Sequence, residues 1–127
     1  MNEKQLEGTK LSEFQPTGAA VADLQIIDLL LGSGNEVKPG ATITAHYTGA
    51  LAADGTIFQS SKDTGSPATF GLDQVIAGWT KGVQGMKVGG RRRLVIPAAR
   101  AYGTSSPAPN IPANSDLVFD IELIAIA

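Results

Sequence analysis

Short apolar runs separated by turn-forming residues constrain the fold of this 127-residue chain more than any other feature. Residues 41–48 alternate, with Ile43, Ala45 and Tyr47 on one face and mostly polar side chains on the other, which is the period of a half-buried β-strand. Residues 117–126 repeat this alternation near the end of the chain. Most links between such runs are too short for the helical crossover that joins parallel strands, so the pattern predicts an antiparallel sheet.

The remaining elements complete an α+β fold. Asp73 is suited to be a helix N-cap, because its carboxylate can accept an orphan amide hydrogen of the first turn, and a short helix is expected over residues 74–81. The apolar run at residues 24–31 predicts a strand that is buried for much of its length. We therefore expect five or six antiparallel strands with one short α-helix packed on one face of the sheet. The other predicted strands span residues 56–59, 69–72 and 91–96.

The length suggests one folded domain preceded by a polar extension. Residues 1–20 are mostly polar and are broken by Pro16 and Gly18, so they are interpreted as a flexible tail or linker, with a docking segment as the alternative. Residues 21–127 are expected to form the domain.

The residue types in this chain give little support to a hydrolytic or metal-dependent enzyme function. The chain has no cysteine and a single histidine, His46, whose neighbours are not metal ligands. His46 is therefore assigned a structural or solvent-facing role, and no metal or cofactor is predicted. No serine lies in a nucleophile-elbow pattern, and no glycine cluster resembles a phosphate-binding loop.

The charge distribution argues against nucleic acid as a partner. The formal net charge is −2, and the basic run that stands out is Arg91-Arg92-Arg93. On a strand, Arg92 points opposite to its two neighbours and shares a face with Leu94 and Ile96, so we expect it near the end of the sheet or beside a carboxylate. A solvated strand end is the preferred interpretation of the run, because no interleaved aromatic residues are present to stack on bases.

Membrane insertion is not expected from the chain as given. The apolar run that begins at Ile26 is interrupted by Asp28 and is far too short to cross a bilayer. We expect a soluble protein, with the cytoplasm as the favoured compartment and an upstream targeting or anchoring segment left open. A monomer is expected, because no heptad pattern or additional apolar strand indicates an interface.

Five short segments, most of them beside a glycine, occur in an order that resembles the FKBP-type peptidyl-prolyl cis–trans isomerases. They are Ala45-His46-Tyr47-Thr48-Gly49, Gly55-Thr56-Ile57-Phe58, Val75-Ile76-Ala77-Gly78-Trp79, Ala101-Tyr102-Gly103 and Leu117-Val118-Phe119-Asp120-Ile121-Glu122-Leu123. The resemblance extends from about Leu24 to the C-terminus. It implies a sheet that wraps around the helix and leaves an apolar cleft between them.

The resemblance also implies an activity, which is faster rotation about Xaa-Pro bonds of proline-containing polypeptides during folding. Trp79 would form the floor of a proline pocket, while the Ile76 N–H and the Tyr102 O–H would donate to substrate carbonyls. The implied catalytic residues are Tyr47, Phe58, Trp79, Tyr102 and Phe119, and the implied substrate-binding residues are Gln59, Val75, Ile76 and Ile111. Phe70 is expected to be mainly core. Macrolides of the FK506 and rapamycin type are implied as ligands of the same cleft.

Three features depart from the family pattern. Gln59 stands where many members carry an acidic residue, and Ala68 stands where many carry an aromatic residue. Residues 107–110 replace a stretch that often contributes a histidine and an aliphatic side chain. We expect these changes to reduce activity or alter substrate preference, and the loss of the aromatic at Ala68 to weaken macrolide binding. An isomerase is the favoured function, and a proline-segment or partner-binding module with little or no turnover is the alternative.

Overall fold

The computed structural model describes residue 11 and residues 23–63, 65–103 and 111–126, with only the backbone described at residue 62. Six strands form a single antiparallel sheet: β1 (Gln25–Leu30), β2 (Thr42–Leu51), β3 (Ile57–Ser60), β4 (Ala68–Gly71), β5 (Arg91–Ile96) and β6 (Leu117–Ile126). One α-helix, α1 (Ala77–Gly82), and two short 3-10 turns, Ser61–Asp63 and Ala98–Arg100, complete the elements. The predicted α+β architecture, an antiparallel sheet with one short helix, is confirmed.

The strand order places the last strand of the domain between β5 and β2. The sheet runs β1-β5-β6-β2, and then both β3 and β4 pair with β2, β4 along its first half and β3 along its second half. The longest pairing joins β2 to β6, with Tyr47 opposite Ile121 and Gly49 opposite Phe119. This register brings side chains that are about 70 residues apart in the chain onto one face of the sheet.

The main core lies between that face and α1. Leu117, Phe119, Ile121 and Leu123 are all buried there, as their shared face on β6 predicted. The helix carries glycine where it meets β5: a Cβ at Gly78 would lie 2.5 Å from a side-chain carbon of Ile96. Glycine at this position therefore lets the helix approach the sheet closely, and this approach sets the height of Trp79 above the sheet.

The opposite face of the sheet carries a smaller cluster built from small and aliphatic side chains, which are Leu11, Ala50, Ala52, Ile57, Val95 and Val118. Leu11 is 8% exposed, and its N–H donates to the Gly55 carbonyl at 2.8 Å. One residue of the predicted tail therefore contacts the sheet. The tail boundary at residue 20 lies outside the described residues and stays a prediction.

The prediction that the first strand is buried was wrong. All six residues of β1 are exposed, because among the described strands β1 pairs only with β5 and forms the edge of the sheet. Ile26, Ile27, Leu29 and Leu30 are each more than two-fifths exposed. An apolar run predicts a strand but cannot show whether that strand lies in the centre of a sheet or at its edge.

The predicted helix start was also wrong. The helix begins at Ala77, its N-cap is Ile76, and no side chain caps it. Residues before it form a turn instead, in which the Gln74 N–H donates to the Gly71 carbonyl at 2.9 Å. The backbone of Ile76 is extended (φ −60°, ψ 152°), so the chain reaches the helix through an extended segment that passes over the sheet.

The arginine run is mostly buried, so its interpretation as a solvated strand end was wrong for Arg92 and Arg93. Arg92 lies beside a carboxylate, the alternative that its strand face predicted: its Nε donates to Asp28 Oδ1 at 2.7 Å. Arg93 pairs with its cross-strand neighbour Asp120 through two hydrogen bonds of 2.6 and 2.8 Å. Buried guanidinium groups with carboxylate and carbonyl partners fix neighbouring strands rather than bind external anions. Only Arg91 of the three is exposed.

Among the described residues, no helix is both long enough and apolar enough to span a membrane.

Candidate active site

An open cleft of about 320 Å³ lies between the sheet and the start of α1. Its walls come from β2, β3, β4 and β6, from the segment before the helix, from α1 itself and from the loop after β5. The lining residues are Tyr47, Phe58, Gln59, Phe70, Gln74, Val75, Ile76, Trp79, Tyr102 and Phe119. None of these side chains carries a charge at neutral pH, so the cleft is suited to a neutral, largely apolar group.

Five aromatic rings form a continuous edge-to-face network at the base of the cleft. Trp79 is its centre, with ring centroids 4.9 Å from Phe70, 5.4 Å from Phe119 and 5.8 Å from Tyr47. Phe58 joins through Phe119 at 5.7 Å, and Tyr47 also meets Phe70 at 5.6 Å. Edge-to-face pairs at these distances are mutually attractive, so each ring helps to hold its neighbours in place. Trp79, at 4% exposed, presents a fixed floor.

Gly49 on β2 makes room for two of these rings. A Cβ at this position would lie 2.6 Å from ring carbons of both Phe58 and Phe119. The absence of a side chain therefore lets the two phenylalanines lie over the backbone of β2, which explains why a glycine occurs in the middle of a strand.

Two groups at the cleft, the Ile76 N–H and the Tyr102 O–H, donate to no acceptor among the described residues. The Ile76 N–H donates to no acceptor within the described ranges, because Ile76 precedes the first helical turn and only its carbonyl is engaged, by Trp79 and Thr80. The Tyr102 hydroxyl likewise has no partner among the described residues, and Tyr102 is 37% exposed. Both groups can donate to a ligand without first breaking a hydrogen bond to any described residue.

Burial raises the pKa of the Tyr47 phenol above its ordinary value near 10, and the neighbouring Tyr102 raises it further. Both causes disfavour the phenolate, since one removes water and the other adds negative charge nearby at high pH. Tyr47 is therefore a neutral O–H over the whole physiological range.

The structure brings together eight of the nine residues that the sequence singled out, as lining groups of the cleft. The exception is Ile111, which is 6% exposed and packs in the main core. Its contact with substrate stays a prediction, as does the effect of residues 107–110, which lie outside the described residues. Ala68 is partly exposed on β4 and is not a lining residue.

Two lining residues were missed. Phe70 was expected to be mainly core, but it is half-buried and packs its ring against Tyr47 and Trp79 at the cleft. Its strand position gave a usable signal, because residues two apart share a face of a strand and Ala68, two residues before Phe70, stands where the family pattern has an aromatic residue. Nothing in the sequence indicated that Gln74 would face the cleft, because it was expected inside the helix. The helix begins later, at Ala77, so Gln74 lies in the segment before it and lines the cleft.

Outside the cleft, His46 has a structural setting. Its Nδ1 lies 2.9 Å from Ser61 Oγ, next to the turn that follows β3, in keeping with the role assigned from sequence. Among the described residues, no group of three or more potential ligand side chains is placed to hold a metal ion.

Residues 34–124 match the family model described as FKBP-type peptidyl-prolyl cis-trans isomerase. The chain is 44% identical over 110 residues to a probable FK506-binding protein of Corynebacterium glutamicum, covering 87% of this chain and 92% of that protein. It is 52% identical over 96 residues to the FKBP-type peptidyl-prolyl cis-trans isomerase FkpA of Aeromonas hydrophila, covering 76% of this chain but only 35% of that protein. FK506-binding protein 4 of Dictyostelium discoideum is 42% identical over 125 residues, which cover 96% of this chain and 34% of that protein. The chain thus spans about a third of the length of the last two relatives.

Solved structures give the same relationship. A peptidyl-prolyl cis-trans isomerase from Pseudomonas syringae has a TM-score of 0.74 and 38% sequence identity, covering 86% of this chain and 80% of that chain. FkpA from Escherichia coli has a TM-score of 0.75 and 38% identity, covering 92% of this chain and 53% of that chain. The chain therefore belongs to the family of FKBP-type peptidyl-prolyl cis-trans isomerases, and its domain is an isomerase domain of that type.

Proposed function

We propose that the aromatic cleft accelerates cis–trans rotation about Xaa-Pro bonds by binding the twisted amide better than the planar one. The barrier to rotation is about 18–20 kcal/mol, because rotation breaks amide resonance. No covalent bond forms or breaks, so no nucleophile, metal or titrating group is required.

The apolar floor supplies the first part of the catalysis. A twisted amide has lost resonance, so its carbonyl oxygen carries less negative charge than in the planar state. A site that replaces water by ring faces costs the planar amide more solvation than it costs the twisted amide, and this difference lowers the barrier. Trp79, held by three neighbouring rings, is the residue on which the proline ring would rest.

Fixed donors supply the second part. The Ile76 N–H would hold one substrate carbonyl and the Tyr102 O–H a second, so that the chain on one side of the rotating bond stays in place. Tyr47, Phe58, Val75 and Phe119 would form the walls, with Gln59 as a neutral hydrogen-bonding group at the edge. The observation that carries the proposal is the combination of an uncharged aromatic floor with donors that have no acceptor among the described residues.

Exchange spectroscopy on a short Leu-Pro peptide tests this function directly. Wild-type protein at catalytic concentration should raise the cis–trans exchange rate well above the uncatalysed rate, whose time constant is about 10–100 s. Chemical-shift changes of the Trp79 indole N–H without faster exchange would instead indicate the binding module without turnover.

We also propose that the cleft binds macrolides of the FK506 and rapamycin type, in keeping with the names of several relatives. Ala68 lies on β4 two residues before the lining residue Phe70 and carries no ring, which should weaken this binding. We therefore expect Ala68→Phe to bind FK506 more tightly than wild type, with a ring–ring gain of about 0.5–1.5 kcal/mol, or two- to tenfold in the dissociation constant. Isothermal titration of both proteins measures the difference, and Thr69→Ser, an exposed change on the same strand, serves as the control. Equal affinities of Ala68→Phe and wild type would contradict the role given to Ala68.

A monomeric working state is part of the proposal. Light scattering at working concentration tests it. The cytoplasm as the compartment stays a prediction that cell fractionation would test.

A further inference from the structure

A second, smaller pocket of about 210 Å³ lies where the end of β1 meets the loop that precedes β5. It shares no lining residue with the aromatic cleft. Six side chains line it, together with the backbone of three glycines: Asp28, Leu30, Leu31, Met86, Lys87 and Arg92. The lining of this pocket differs from that of the aromatic cleft because it includes charged side chains.

Arg92 is the fixed polar group of this pocket. Its Nε donates to Asp28 Oδ1, and its Nη1 donates to the carbonyls of Gly82 and Gln84 at 2.8 and 2.9 Å. A guanidinium has five N–H donors, so these bonds leave both hydrogens of Nη2 without an acceptor in the described part of the chain. The residue is only 8% exposed, and the other bonds hold the fork in one orientation, so these two donors are preorganised.

The charges around the pocket favour an anion. Lys87 is exposed and has no ion-pair partner among the described residues. Arg91, also exposed, lies opposite Leu30 across the β1–β5 pairing. The lining itself holds two cations, Arg92 and Lys87, against one carboxylate, Asp28, one oxygen of which already accepts from Arg92. Two nearby carboxylates do not line the pocket: Glu36 faces Lys87 across an isolated β-bridge, and Glu122 lies opposite Arg91 on β6. The lining residues therefore keep a positive net charge, and Arg92 adds two donors that no described residue uses.

The apolar part of the pocket restricts which anion fits. Leu30 and Leu31 are 53% and 77% exposed, whereas Met86, which also lines the pocket, is buried. Exposed leucines next to a charged donor are suited to a ligand with both an aliphatic and an anionic end. The volume, smaller than that of a drug-sized site, matches one aliphatic side chain.

We propose that this pocket binds a carboxylate carried on an aliphatic body of about leucine size, with the carboxylate on Arg92 Nη2 and Lys87 and the aliphatic group on Leu30, Leu31 and Met86. A free small carboxylate and the C-terminal end of a polypeptide chain share this chemistry. The inference does not depend on turnover in the aromatic cleft.

The test compares N-acetyl-L-leucine with N-acetyl-L-leucinamide, which differ only in the charged group, by nitrogen–proton correlation spectra of the whole chain. The acid should give saturable shifts at Leu31, Gly32 and Lys87, with a dissociation constant in the millimolar range expected for a ligand of this size. The amide should bind at least fivefold more weakly. Equal shifts with both compounds, no saturable shift, or shifts confined to the Trp79 and Tyr102 signals of the cleft would overturn the proposal.

Variants that leave Arg92 intact separate binding from folding. Lys87→Gln should weaken the binding of N-acetyl-L-leucine about two- to fivefold, as expected for the loss of an exposed ion pair. Leu31→Ser should weaken this binding by a similar factor. Lys38→Gln removes the same charge at an exposed site outside the pocket and should change nothing. Equal effects of Lys87→Gln and Lys38→Gln would contradict the site, because only general attraction would then remain.

A peptide arm distinguishes the two sources of the ligand. Acetyl-Gly-Gly-Leu with a free carboxylate should bind more tightly than N-acetyl-L-leucine if a chain end is the natural ligand, because the added backbone can lie along the edge of β1 that no described strand pairs with. Equal affinity assigns the pocket to small carboxylates. Both results support a pocket for an aliphatic carboxylate. The proposal would be contradicted if neither acetyl-Gly-Gly-Leu nor N-acetyl-L-leucine bound at physiological ionic strength.

Discussion

At the scale of single residues, Tyr102 gives the sharpest test of the donors. Its hydroxyl has no partner among the described residues, so Tyr102→Phe removes the proposed donor to substrate and breaks no hydrogen bond to a described residue. We expect kcat/KM for a Leu-Pro peptide to fall about two- to tenfold, the equivalent of one neutral hydrogen bond, with the free energy of unfolding changed by less than about 0.5 kcal/mol. Exchange kinetics and urea denaturation measure the two quantities. An unchanged kcat/KM in the folded variant would show that the Tyr102 hydroxyl holds no substrate carbonyl.

The raised pKa of Tyr47 predicts that its contribution to folding stability changes with pH only under alkaline conditions. The folded state favours the neutral phenol, so stability from this group is fully present below the unfolded-state pKa of about 10 and is lost as pH rises through the higher folded pKa. Absorbance titration of Tyr102→Phe, which leaves Tyr47 as the single tyrosine, should give a midpoint above 10 while the protein stays folded. A midpoint at or below 10 in the folded variant would contradict the burial of this phenol.

At the scale of elements, the close approach of α1 to β5 controls the position of the cleft floor. Gly78→Ala places a Cβ about 2.5 Å from the Ile96 side chain, so the helix must move or the core must distort. Overpacking of this kind costs about 1–3 kcal/mol, and we expect the urea midpoint to fall accordingly. Lys81→Ala, on the exposed side of the same helix, is the matched control and should be near neutral. A Gly78→Ala protein as stable as wild type would mean that the helix has free space above β5.

The elements also show how far the sequence alone could lead. Alternation on β2 and β6 correctly predicted which side chains face the core, because the antiparallel pleat determines this directly. The burial of β1 could not be predicted, because an apolar run is compatible with a central or an edge strand, and only the sheet order decides between them. The start of α1 could not be predicted from Asp73, because residues 71–74 close a turn and Ile76 is extended, and a potential cap residue does not show whether helical backbone follows it.

At the scale of the whole molecule, the candidate site is a product of strand order. Tyr47, Phe58, Trp79, Tyr102 and Phe119 come from five separate segments, and the β2–β6 pairing brings the first and last of them together. Periodicity could place each residue on a face but not beside the others, so their grouping was predicted only from the family pattern. Phe70 joins them because β4 pairs with the first half of β2, a pairing that no local pattern indicates.

The central claim is that rotation of the Xaa-Pro bond is catalysed on the ring of Trp79. Exchange spectroscopy on a Leu-Pro peptide should therefore be run with wild type, with Trp79→Leu and with Ile124→Ser, an exposed change on β6 outside the cleft. We expect wild type and Ile124→Ser to accelerate exchange equally, and Trp79→Leu to lose most of the acceleration while its amide spectrum remains that of a folded protein. A folded Trp79→Leu protein that isomerises the peptide as fast as wild type would contradict the account, because the floor of the cleft would then take no part in the reaction.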